Sequence, residues 1–192
     1  MNLLRAPLIW YNRANIAHPV KTQILTSGVL WFAGDLVAQK IEGKKHDWLR
    51  TCRMTMYGLC VAGPTFVWWY NFLDRNTLFL MKYGKPLFVA GKVFADQCIF
   101  EPIYLLVFFS ATTALNHFDK PNTFELLKQK VKSEFVSTYI VDCTIWPTIQ
   151  AVNFSIVPVR YHPLVVNTVN IGWNCFLDYV SHKKIVIKTE KE

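Results

Sequence analysis

Charge is scarce in this chain, and catalytic motifs are missing altogether. Charged residues make up 18% of it, against 52% hydrophobic ones, and no acidic residue occurs before Asp35. There is no GxSxG elbow, no HExxH, no glycine-rich phosphate loop and no CxxC pair, so no known nucleophile, zinc or nucleotide chemistry is announced. The five cysteines are scattered, most of them in or beside apolar stretches, where a cysteine acts as a small hydrophobe rather than half of a disulfide. The five histidines fall at expected helix ends or in loops. This excludes a cofactor or metal site on sequence grounds and argues against an enzyme.

What the chain does have is long uncharged runs. Twenty residues, Met54 to Leu73, carry no formal charge, and from Phe135 to Lys183 the only charges are Asp142, Arg160 and Asp178. At about 1.5 Å per residue, twenty helical residues span roughly 30 Å, the hydrocarbon thickness of a bilayer. A soluble helix of that length would show a polar face, and Met54 to Leu73 shows almost none. The expected fold is all-α: one polytopic, membrane-embedded domain over 1–192. Its four transmembrane helices are expected near 21–41, 53–73, 91–116 and 163–181, the second being the clearest. The rings Trp68, Trp69 and Tyr70 suit a membrane interface. Residues 122–134 alternate charges around Leu126, Leu127 and Val131 and are expected to form an interfacial amphipathic helix. They lead into an apolar segment, 135–159, interrupted by Pro147 and Pro158, for which spanning and half-buried arrangements both stand.

The net charge of +8 lies almost wholly in connections and tails. It forms no basic stripe interleaved with aromatics, so the expected partner is the lipid bilayer, not nucleic acid. Four spans would divide the Lys and Arg residues eleven to ten, which gives no orientation. The acid-poor first seventeen residues, with Arg5 and Arg13, fit either an organelle-import segment or a short basic helix on the membrane surface.

Polar residues recur where polarity is expensive. Lys21, Gly28, Asp35 and Gln39 share one face of the first helix. Asn167, Asn170, Asn174 and Asp178 form a stripe on the fourth. Asp142, Trp146, Gln150 and Asn153 share a face if Pro147 only kinks the helix. On the third, Lys92 is expected to pair with Asp96 four residues on, with Gln97 and Glu101 a second pair pointing elsewhere. These residues are the candidate polar interior or pore lining. They serve either as hydrogen-bonding glue between helices or subunits, or as the walls of a hydrated path for small polar solutes.

Several motifs also occur in order. They are Ala17-His-Pro-Val-Lys-Thr-Gln23, Gly34-Asp35 with Ala38-Gln39, Gly63-Pro64, Trp69-Tyr70, Lys92 with Asp96-Gln97, and Trp146-Pro147-Thr-Ile-Gln150-Ala-Val-Asn153-Phe154 before Val157-Pro158. With Trp173-Asn174 they cover nearly the whole chain. The pattern resembles the family of the twenty-two-kilodalton peroxisomal membrane protein and the mitochondrial inner-membrane protein Mpv-seventeen. That resemblance implies a four-helix integral membrane protein of mitochondria or peroxisomes, channel-forming, possible as a homo-oligomer, and linked in mitochondria to DNA maintenance. The basic N-terminus favours the mitochondrial inner membrane.

Overall fold

A computed structural model describes residues 5–43, 45–117 and 123–173, and among them every regular element is helical. Helix α1 is Arg5–Ala17 and α2 is Pro19–Glu42, with His18 in a non-helical conformation between them and Pro19 opening α2. Helix α3 runs over 48–77 as Trp48–Tyr57, a π turn Gly58–Ala62, and Gly63–Thr77. A 3₁₀ turn, Leu78–Tyr83, precedes α4 over 85–117, built of Lys85–Ala95, a second π turn Asp96–Phe100, and Glu101–His117. Helix α5 is Thr123–Ile156, and α6 covers 162–173 after a 3₁₀ turn, Val159–Tyr161.

Helix α2 ends at Gly43, whose φ of 68° is the left-handed conformation that glycine adopts without steric cost. Asp47 starts α3 by accepting from the amides of Leu49 and Arg50 at 2.9 and 3.1 Å. The expected interfacial helix and the apolar segment after it are one uninterrupted helix, α5. It continues through Pro147, which forfeits one backbone hydrogen bond.

The chain forms two compact units: residues 1–68 with 163–192, and residues 69–162. In the first, α2 packs on α3 through small residues. A Cβ on Gly58 would lie 2.8 Å from the Trp31 side chain, and one on Gly63 would lie 3.0 Å from the backbone of Ile24. Such close approach is how membrane helices gain van der Waals contact where lipid offers no hydrophobic drive. Gly34 of α2 receives Ile171 of α6. In the second unit, α4 packs along α5, and Leu80 of the 3₁₀ turn sits against Gly91.

One described helix, Lys85–Leu115, is long and apolar enough to cross a membrane, and only 33% of its most apolar stretch is buried. The core helix of a soluble protein would be mostly covered. The span expected to be clearest, 53–73, does not meet that test. Its Trp, Tyr and Asn residues lower an average that counts inward and outward residues alike.

Candidate functional site

Beside an apolar core that includes Tyr57, Phe66, Leu73 and Phe109, many polar side chains are buried and many large apolar ones are exposed. Asp35, Gln39, Lys92, Asp96, Gln97, Glu101, Asp142, Gln150, Asn153, Asn167 and Asn170 are all buried, while Phe94, Ile99, Ile103, Ile140 and Val152 are exposed. Asn174 and Asp178 lie outside the described residues. Lys21 is exposed and leaves the buried stripe of α2, which comprises Gln23, Ser27, Gly28, Trp31, Gly34, Asp35, Ala38 and Gln39.

In the first unit many of the buried polar groups bond to one another. Asp35 receives Arg50 Nε at 2.9 Å, Thr51 Oγ1 at 2.6 Å and Gln39 Nε2 at 2.7 Å. The Gln39 amide also clamps the loop, donating to the Asp47 carbonyl at 3.0 Å and accepting from its amide at 2.6 Å. Arg50 reaches Glu42 as well, at 2.6 Å. Asn167 accepts from Trp31 Nε1 at 3.2 Å and donates to Ser27 Oγ at 2.7 Å, stitching α6 to α2. Asn15 of α1 accepts from Gln23 at 3.1 Å.

In the second unit the π turn of α4 gathers the ionisable residues. Asp96 accepts from Trp69 Nε1 at 2.6 Å and from Gln150 Nε2 at 2.7 Å. Gln150 also reaches the Tyr70 hydroxyl at 2.9 Å and accepts from Asn153 at 3.0 Å. Asp96, Glu101 and Asp142 lie within electrostatic range of one another. The expected Lys92–Asp96 pair is not formed. Lys92 is paired with Asp74 and lies over the Phe88 and Phe154 rings, while Asp96 turns to Trp69 and Gln150. Gln97 and Glu101 are both buried, as a polar interior needs, but Glu101 does not point away from Asp96 as expected. A π turn closes i to i+5 and advances fewer degrees per residue than an α turn, which swings Glu101 back towards the buried side of Asp96.

Hydrogen-bonding capacity is left over here. Both side-chain atoms of Gln97, Oδ2 of Asp142 and Oδ1 of Asn153 are buried and have no partner among the described residues. Among those residues, no three His, Cys, Asp or Glu side chains are grouped to hold a metal ion.

Comparison with known proteins identifies the lineage. The chain is 39% identical over 176 residues to the protein sym1 of Aspergillus oryzae, covering 90% of this chain and 96% of that one. It belongs to the Mpv17/PMP22 family. The family pattern itself matches residues 120–178. The mitochondrial inner membrane protein Mpv17 of Xenopus laevis is 34% identical over 177 residues, covering 90% of this chain and 96% of that one. A PXMP2/4 family protein 4 of Dictyostelium discoideum is also 34% identical, over 83% of this chain and 85% of its own. No solved structure matches. The matched region of this Mpv17/PMP22 chain includes Trp146-Pro147, Gln150 and Asn153, and in the structure Trp146, Gln150 and Asn153 line the buried face of α5.

Sequence reading missed several members of these networks. Trp69 and Tyr70 were expected at an interface with Trp68, but only Trp68 is exposed; the other two are buried donors and acceptors for the Asp96 cluster. Neither Arg50 nor Asp74 was among the expected interior residues. The available signal was the missing counter-ion: Lys92 and Asp35 each needed a partner of opposite charge.

Proposed function

We propose that this chain is a multi-pass protein of the mitochondrial inner membrane, crossing it with four helices as a single embedded domain. In this reading it is a conduit and not an enzyme. It provides a pathway for small polar solutes and, through them, supports mitochondrial DNA maintenance. One observation carries the transport reading. Buried side-chain atoms of Gln97, Asp142 and Asn153, beside the Asp96 and Glu101 carboxyls, have no hydrogen-bond partner among the described residues. Glue has no use for unspent capacity in a low-dielectric interior, because each such atom costs about 1–3 kcal/mol. Water or a polar solute would spend it. The location is supported by the relative named for the inner membrane and by the basic α1, whose Trp10 and Ile16 are exposed.

Solute flux into liposomes containing the purified protein tests the proposal. The intact protein should pass small polar solutes, and Asp142→Asn and Gln97→Leu should each change the rate severalfold while thermal unfolding in detergent stays similar. A second reading, a non-conducting scaffold, is favoured by the bonds of Asn167 to Trp31 and Ser27. No flux from the intact protein, together with homo-oligomers in detergent, would select the scaffold.

A further inference from the structure

An apolar groove of about 830 Å³ runs along the outer side of α4 against the end of α5, lined by Lys85, Val89, Val93, Phe94, Gln97 and Ala151 among others. Its α4 wall extends from Lys85 to Cys98, about 20 Å of helix. One leaflet of a bilayer offers about 15 Å of hydrocarbon, with headgroups above it. The groove is therefore as deep as one acyl chain plus the level of its phosphate, and it lies on the helix that is apolar enough to cross a membrane.

Its mouth carries one sign of charge. Lys85 lines it, and Lys82 lies three residues earlier, across Gly84; both are exposed. No acidic residue occurs between Asp74 and Asp96, and Asp74 is occupied by Lys92. The 3₁₀ turn leading in exposes Leu78, Phe79, Met81 and Tyr83, a set suited to the interface between headgroups and chains. Exposed apolar and aromatic residues interleaved with lysines suit the level of the lipid phosphates. A basic pocket of this kind beside a membrane helix is how anionic headgroups are recognised.

We infer that this groove holds one anionic phospholipid, its phosphate between Lys82 and Lys85 and one acyl chain along Val89, Val93, Phe94 and Ala151. Gln97 borders both this groove and the proposed solute path, but lipid retention is measured without flux, so either reading can fail alone. Full-length protein is purified in detergent, mixed with equal amounts of phosphatidylglycerol and phosphatidylcholine, and the retained lipid is counted by native mass spectrometry. Phosphatidylglycerol should be retained in preference. Lys82→Gln and Lys85→Gln should each weaken that retention about fivefold, from the loss of one lysine at an anionic surface. Lys85→Arg should restore it. Ala151→Phe, which fills the groove without touching the lysines, should abolish retention while unfolding without added lipid stays unchanged. Equal retention of both lipids, or indifference to all the variants, would overturn the inference. So would a change in oligomeric mass in place of lipid retention, since the groove would then be a contact between copies.

Discussion

Gln150 touches three side chains at once, and its replacement is the sharpest test of the buried network. Leucine keeps the volume but leaves Asp96 with Trp69 alone and strips Tyr70 and Asn153 of a partner. The expected cost is about 3 kcal/mol, because buried groups lose partners without regaining water. Val152→Ala, two residues away on the exposed side, should stay within about 0.5 kcal/mol. Thermal unfolding in detergent compares them. A second residue-scale test concerns His162, at the start of α6, whose Nε2 donates to the Val157 carbonyl at 2.9 Å. Burial pushes its imidazole down to about 4, with Lys92 adding to the effect and the Val157 bond opposing it. The unfolded chain therefore takes up a proton near pH 6.5 that the folded one refuses until about pH 4. Its contribution to stability is complete above pH 6.5 and is lost progressively down to pH 4. His162→Phe should flatten that part of the stability profile. At this scale the sequence exposed one half of each contact. Polar residues four apart on α5 announced a buried face. Tyr70, the partner of Gln150, and Trp69 and Asp74, the partners of Asp96 and Lys92 on α4, lie far away in the chain, and rings at a helix end read as interfacial until the structure turns them inward.

Among the elements, the π turns account for the largest difference between expectation and structure. An expectation drawn at 100° per residue sent Glu101 away from Asp96. Five residues of π turn redirect that face, and nothing in Asp96-Gln-Cys-Ile-Phe100 declares it. The π turn of α3 is better foreshadowed, since Gly58 and Gly63-Pro64 bracket it and the proline can offer no backbone donor. Gly58 also faces Trp31, whose ring is held in place by its bond to Asn167. Gly58→Leu should therefore destabilise the protein by about 1–3 kcal/mol, the usual penalty of overfilling a packed interface. Asn167→Leu, by releasing the ring, should recover part of that loss when combined with it. A double-mutant cycle on unfolding temperatures measures the coupling, and strict additivity would contradict the contact. The long α5 was legible as two adjoining pieces, because its face keeps the 3.6-residue period straight through Pro147.

For the whole molecule, the all-helical class and the membrane habit were readable from the uncharged runs, because a bilayer imposes a length that composition can reveal. Individual spans were less so, since an average over a helix blurs buried Asp and Asn with outward Phe and Ile. The exposed Phe94, Ile103 and Val152 predict that alkaline carbonate will leave the protein in the membrane pellet and that detergent will be needed to dissolve it. Release without detergent would refute the architecture. The first unit has a further property: it is assembled from both ends of the chain, residues 1–68 and 163–192. Its bonds from Asn167 to Trp31 and Ser27 bridge 136 and 140 positions. At the usual 5–20 residues per second of translation, the early helices wait on the order of ten seconds for the last one to be made. During that interval Asp35 and Gln39 of α2 already have Arg50 and Thr51 of α3, while Ser27 and Trp31 wait for Asn167, so the α2–α6 seam is the part of the first unit that assembles late.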